Sequence, residues 1–165
     1  MVQTNGDVRC PECGAVVPGG FESCKAVFED VCALEYSDFA CGAVHLLTVD
    51  AYTLQHSAEC GPRSNAFHLM RLCRLLEHGD NPCIGQRPPR ELGKAFEDEY
   101  RGYPYLGPPP HQAQLTIADV HGAATPEEHA QRVLRYAASV WRTWAVHHAW
   151  ARRQAQRGTP AKSKR

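Results

Sequence analysis

The segment Phe39–His56, FACGAVHLLTVDAYTLQH, constrains the fold more than any other stretch of the chain. It is an apolar run long enough for a substantial helix, and it carries groups able to do chemistry. On a helical wheel Cys41, His45, Val49, Tyr52 and His56 share one face, while Leu47, Asp50 and Leu54 share the opposite one. A helix apolar on nearly every side is touched by neighbours all round, which places it in the middle of a bundle. Two imidazoles and a carboxylate on such a helix need hydrogen-bond partners or a metal, because burying an unpaired polar group is costly.

A chain of 165 residues, 43% of them apolar, suits one domain with a real core. Eighteen Lys and Arg balance eighteen Asp and Glu, for a formal net charge of +0. That balance gives no electrostatic reason to expect nucleic acid or an anionic membrane as partner. The opening MVQTNGDVR has no apolar core of a signal peptide, and no run approaches the roughly 20 apolar residues needed to span a bilayer. The expectation is a cytoplasmic protein. Eight cysteines, Cys10, Cys13, Cys24, Cys32, Cys41, Cys60, Cys73 and Cys83, are then metal ligands or small core residues rather than disulfide partners.

Cys10-Pro-Glu-Cys13-Gly14 has the form of a zinc knuckle. A two-residue spacer lets both sulfurs face one ion, and the glycine permits the tight turn that aims backbone N–H groups at sulfur. A thioredoxin-like redox pair would want a helix directly after the motif, whereas Val16-Val17-Pro18-Gly19-Gly20 is turn chemistry. Cys24 falls in the first turn of the next helix, where the helix dipole favours a thiolate, and is the expected third ligand. His45, His56, Cys60 and Cys83 compete for the fourth place. His45 is taken, because it sits mid-helix on an apolar segment, unlike His78, His111 and His121 at a helix end or in Pro/Gly-rich connections. The expected cofactor is one zinc ion per chain.

The remaining pattern reads as an all-α, compact bundle of about five helices. The first runs from Phe21 or Ser23 to Tyr36, with an apolar stripe of Cys24, Val27, Phe28, Val31 and Leu34. Ser37 and Asp38 can cap the central helix, which ends near Ser57. A third spans about Ser64 to His78 and stops at Gly79. A short fourth covers about Pro89 to Tyr100. The Pro/Gly/Tyr segment Arg101–His111 is rigid and extended, and should wrap over the bundle. Residues 114–120 alternate weakly and suit a short strand or an extended segment. Thr125-Pro126-Glu127-Glu128 is a capping box opening a last helix to about Gln156. Residues 1–9 read as a mobile arm, 10–156 as the domain and 157–165 as a basic disordered tail. That tail is the one route to weak nucleic-acid contact.

The motifs CPECG, Leu34-Glu35-Tyr36-Ser37-Asp38, and Val44-His45 through Val49-Asp50-Ala51-Tyr52 with Gln55-His56 resemble a family of uncharacterised bacterial proteins. Its members share a CPxCG start, a VDAYxxQH helix and a Trp-rich last helix with paired histidines. The likeness would cover about Cys10 to Arg153. It implies the fold boundaries and the importance of His45, Asp50 and His56, and it implies no activity.

Two functional readings follow. In the first, the chain is a small zinc-binding helical protein whose metal is structural and whose partner is unknown. In the second, it is a metal-dependent hydrolase or transferase whose site combines His45, His56 and His147 with Asp50 or Tyr52. On a straight helix His45 and His56 lie about 16 Å apart at 1.5 Å per residue, too far to share one ion.

Overall fold

A computed structural model describes residues 7–79 and 102–157. The expected fourth helix, Cys83 and all but the first residue of the basic tail fall outside these residues. The chain opens with a two-stranded antiparallel hairpin, β1 (Asp7–Arg9) and β2 (Val16–Pro18), with Val8 opposite Val17. The hairpin takes up the last three residues of the segment read as an arm. The rest of the described residues are helical or irregular.

Helix α1 (Phe21–Ser37) follows Gly19 and Gly20, both with positive φ, which gives a sharp entry from β2. Asp38 then caps α2 (Phe39–Gly42), its Oδ1 accepting from the N–H groups of Ala40 at 2.8 Å and Cys41 at 3.2 Å. Gly42 comes so close to α1 that a Cβ there would sit 2.7 Å from the Glu35 carbonyl oxygen. The continuous helix expected over Phe39–Ser57 is thus two helices. It breaks at Ala43–Val44 and resumes as α3 (His45–Gln55).

Helix α3 lies in the middle, packed against α1, α4 (Ser57–Cys60), α5 (Pro62–Cys73) and α6 (Pro126–Thr143). It buries Leu47, Thr48, Asp50, Ala51, Thr53, Leu54 and Gln55. Its long apolar core face meets Val133, Tyr136, Ala137 and Val140 of α6, all fully buried. Burial of this kind, about 25 cal/mol per Å² of apolar surface, is the main favourable contribution to such a bundle.

Helix α5 ends in a π-helical turn, Arg74–His78, closed by Gly79 in the left-handed conformation. Helix α6 begins as its cap signal predicts. The Thr125 hydroxyl accepts from the Glu128 N–H at 3.2 Å, and the Glu128 carboxylate accepts from the Ala124 N–H at 2.9 Å. The single last helix expected to Gln156 is interrupted after Thr143 by a 3₁₀ turn, Ala145–His147, and continues as α7 (His148–Arg157). At the interruption His148 stacks on Trp141 at 3.7 Å and its Nε2 bonds the Trp141 carbonyl at 2.8 Å. Residues 114–120 hold no strand; a 3₁₀ turn at Ile117–Asp119 buries Ile117 and Val120 instead.

The Pro-rich segment does wrap the bundle. Leu106 is buried, its N–H donates to the Pro62 carbonyl at 3.1 Å, and its own carbonyl accepts from Asn65 Nδ2 at 3.1 Å. Farther on, Gln112 Nε2 donates to the Glu12 carbonyl at 3.0 Å and so holds the CPECG turn from outside.

Candidate metal centre

Helices α1 and α3 run antiparallel. Cys24 meets His56, Phe28 stacks on Tyr52 at 3.9 Å, and Glu35 meets Thr48 and His45. Cys10, Cys13, Cys24 and His56 gather at one end of this pair, and Cys32, Glu35 and His45 at the other.

At one end the hairpin turn brings in Cys10 and Cys13. The Cys10 N–H bonds the Ala15 carbonyl at 2.8 Å, the Gly14 N–H bonds the Cys10 carbonyl at 2.9 Å, and Gly14 takes a φ of 78°. The resulting turn points the N–H groups of Glu12 and Cys13 at the Cys10 sulfur, and that of Ala15 at the Cys13 sulfur. Gly14 also has no room for a side chain, since a Cβ would lie 2.7 Å from Gln112 Oε1.

Cys24 comes from the first turn of α1 and His56 from the residue that ends α3. Cys13 Sγ and Cys24 Sγ are 3.6 Å apart, Cys10 Sγ and His56 Nε2 3.6 Å, and Cys24 Sγ and His56 Nε2 3.5 Å. All four residues are buried, none more than 2% exposed, and their ligand atoms lie within 4.8 Å of one another. A tetrahedral ion with bonds of about 2.3 Å to sulfur and 2.0–2.1 Å to nitrogen has edges of roughly 3.8 Å (S–S) and 3.5 Å (S–N). The observed spacings match those edges, so the cluster could hold a metal ion.

The histidine is prepared for that role. His56 Nδ1 donates to the Tyr52 carbonyl at 2.8 Å, which fixes the tautomer and leaves Nε2 as an acceptor toward the sulfurs. Its ring stacks on Tyr52 at 4.0 Å and meets the edge of Phe21 at 5.9 Å. The thiols share their protons unequally. The hydrogen bond from Cys24 lowers the Cys13 thiol to about 4, the same bond raises Cys24, and burial raises Cys10.

The fourth member is His56, which corrects the expectation of His45. His45 stands at the opposite end of the α1–α3 pair, its Nδ1 2.8 Å from Glu35 Oε2 and its ring 4.5 Å from that of Tyr36. Glu35 is fully buried there, and its Oε1 also accepts from His129 Nε2 at 2.9 Å and from the Thr48 hydroxyl. Cys32, one turn back on α1, completes a group of Cys32, Glu35 and His45 with ligand atoms within 4.8 Å of one another.

The expected pocket of Asp50, Tyr52, His56 and His147 does not form a unit among the described residues. Asp50 points the other way, toward α5. Its Oδ1 lies 2.6 Å from His68 Nδ1, and its carboxylate accepts from Arg71 Nε and Nη2 at 2.6–3.0 Å. Tyr52 sits between Phe28 and His56. His147 lies in the 3₁₀ turn with its ring 5.9 Å from that of Trp144, and burial lowers its pKa. None of the three groups with metal-ligand geometry among the described residues contains Asp50, Tyr52 or His147.

A family profile matches residues 8–145, from the first strand to the end of α6, and so covers the hairpin, the cysteine cluster and the central helix. The chain belongs to DUF5946, a family of unknown function. Comparison with curated proteins and with solved structures returns no match. The family assignment therefore brings no reaction with it, and the chemistry has to come from the site. Sequence reasoning found three of the four clustered residues and named the fourth among its candidates. It missed Glu35 as the partner of His45 and His129 as a partner of Glu35, because these contacts span 10 and 94 residues.

A cleft of about 330 Å³ lies beside the cluster, between the Pro11–Cys13 turn, Leu54 and Gln55 of α3, and the Pro108–Ala113 strap. No helix among the described residues is long and apolar enough to cross a membrane.

Proposed function

We propose that this protein binds one zinc ion on Cys10, Cys13, Cys24 and His56, and that the ion's role is structural. The observation that carries the reading is the buried tetrahedral spacing of three sulfurs and one imidazole nitrogen. Soft thiolates with one imidazole select zinc among the common divalent ions, and four protein ligands leave no position for a substrate or a reactive water. The ion would fasten the N-terminal hairpin to the Cys24 end of α1 and the His56 end of α3. It would also neutralise thiolates that the site alone cannot hold. Such a centre needs a reducing compartment, in keeping with a cytoplasmic protein.

Its biological role on this reading is binding rather than catalysis at the zinc, with the ion supporting the wall of the adjacent cleft. The test is metal analysis of the full chain purified without chelator. About one zinc per chain, lost in Cys10→Ser together with part of the thermal stability, supports the proposal. Metal-free protein that is folded and indifferent to added zinc overturns it.

A further inference from the structure

We propose a second metal site at the opposite end of the α1–α3 pair. It would take a divalent transition ion on Cys32 Sγ, a Glu35 carboxylate oxygen and a His45 ring nitrogen, with the remaining coordination position open to solvent. The ligand atoms already lie within 4.8 Å of one another. Cys32 and Glu35 are three residues apart on α1, and His45 opens α3, so two helices fix the group in place. Glu35 is fully buried, whereas Cys32 and His45 are partly exposed, so the group opens outward on one side.

The supporting contacts are those of a ligand set. Glu35 Oε1 is held by His129 Nε2 and the Thr48 hydroxyl, which orient the carboxylate from behind. Glu35 also differs from the chain's other deeply buried carboxylate. Asp50 is neutralised by the permanent cation of Arg71, but Glu35 meets two imidazoles, which carry charge only when protonated. A buried carboxylate without a fixed cation is where an ion is best accommodated.

Two rivals fit less well. A Cys–His–Glu nucleophilic triad needs an accessible thiolate, yet burial and the charges of Glu35 and Glu29 push the Cys32 thiol up to about 12. The other group with ligand geometry, Cys73, Glu77 and His78, has its carboxylate already held by Arg152 at 2.7–3.1 Å.

One sulfur, one nitrogen and one oxygen suit a borderline ion such as Zn²⁺, Co²⁺ or Fe²⁺, and three protein ligands with an open position are the arrangement used where a metal binds water or substrate. Tyr36, 79% exposed, lies with its ring 4.5 Å from that of His45 and gives the opening an aromatic edge. The class of ligand is a small molecule with a metal-binding oxygen or sulfur and an apolar body.

The experiment is a Co²⁺ titration of the full chain under reducing conditions, followed by absorption and native mass spectrometry, with Cys32→Ala, His45→Gln and Cys10→Ser in parallel. Two equivalents in the parent chain, falling to one in Cys32→Ala and in His45→Gln with the helical spectrum intact, establish the second site. A parent chain whose binding is unchanged by Cys32→Ala and by His45→Gln overturns it, whether that chain takes up one equivalent or two. The arms separate this proposal from the first. An ion lost in Cys10→Ser alone leaves only the closed centre, and an ion lost in His45→Gln alone leaves only the open one. His45→Gln keeps a polar group near Glu35 and changes a partly exposed side chain, so the answer does not depend on Cys32→Ala folding.

Discussion

At the Cys24 end of the α1–α3 pair, three sulfurs and one nitrogen converge with no exposure to solvent; at the Glu35 end, one sulfur, one carboxylate and one imidazole converge with two of the three residues partly exposed. Both ends use the same helices, and both place a residue of α1 against a residue of α3. What differs is the third contributor. A rigid backbone turn closes the first end, while the second is backed by a side chain, His129, that arrives from α6. A turn that aims N–H groups at sulfur builds a sealed and soft-ligand site. A helix corner with a buried carboxylate leaves an accessible and harder one. One antiparallel pair thus carries a sealed sulfur-rich cluster at one end and a partly exposed thiol, carboxylate and imidazole group at the other.

The strongest way to break the comparison is at the closed end. Cys13→Ser should lose the ion and destabilise the fold by several kcal/mol, because metal binding free energy is folding free energy. In a chain of this size that is a fall in melting temperature of roughly 10 °C or more. His56→Ala should act in the same direction, and thermal scans of both with and without added zinc check it. Unchanged melting in both variants would remove the distinction between the two ends.

Asp50→Ala comes next. It leaves Arg71 and His68 without their carboxylate, and breaking a buried pair of this kind costs about 3 kcal/mol or more. Urea unfolding should show a lower midpoint with zinc content unchanged, which separates a structural charge pair from a metal ligand.

At the open end, His45→Ala in metal-free protein should cost about 1 kcal/mol, since the ring is partly exposed and loses one hydrogen bond to a charged group. A loss as large as that of His56→Ala would mean that the two ends are equally structural. The smallest effect is expected at Glu77→Gln, within about 0.5 kcal/mol, because the Arg152 pair is half exposed. The hydrogen bond from Arg152 holds Glu77 below the usual carboxylate range. Its contribution is therefore present above the unfolded pKa and fades as pH falls through the lower folded one. Urea midpoints of the parent and Glu77→Gln, measured from neutral to acid pH, should converge.

Local signals were legible in the sequence and distant ones were not. CPECG, the Asp38 cap and the Thr125 box all act within five residues, and each forms the structure its chemistry demands. The choice between His45 and His56 turned on a longer range. Their positions on a helical wheel are nearly the same, so phase could not separate them; what does is which end of α1 each one meets. The preference for a mid-helix imidazole did not pick the one that joins the three cysteines: His56, as the residue ending α3, turns its Nδ1 back to Tyr52 and presents Nε2 to the sulfurs. The helix break at Ala43–Val44 was hidden for a related reason. Beside it Gly42 approaches the Glu35 carbonyl too closely for a side chain, a contact between elements that no window of apolar periodicity contains.

The order of the ligands along the chain has a consequence for synthesis. Cys10, Cys13, Cys24 and His56 all fall within the first 56 of 165 residues, whereas Glu35 does not receive its partner from α6 until His129 is made. On a ribosome adding about 5–20 residues per second, the four clustered residues are all made several seconds before His129. If the cluster binds its ion as proposed, a nascent chain captures it while the distal corner is still without its backing helix, and the antiparallel pair is pinned at one end before the rest of the bundle arrives to close the other.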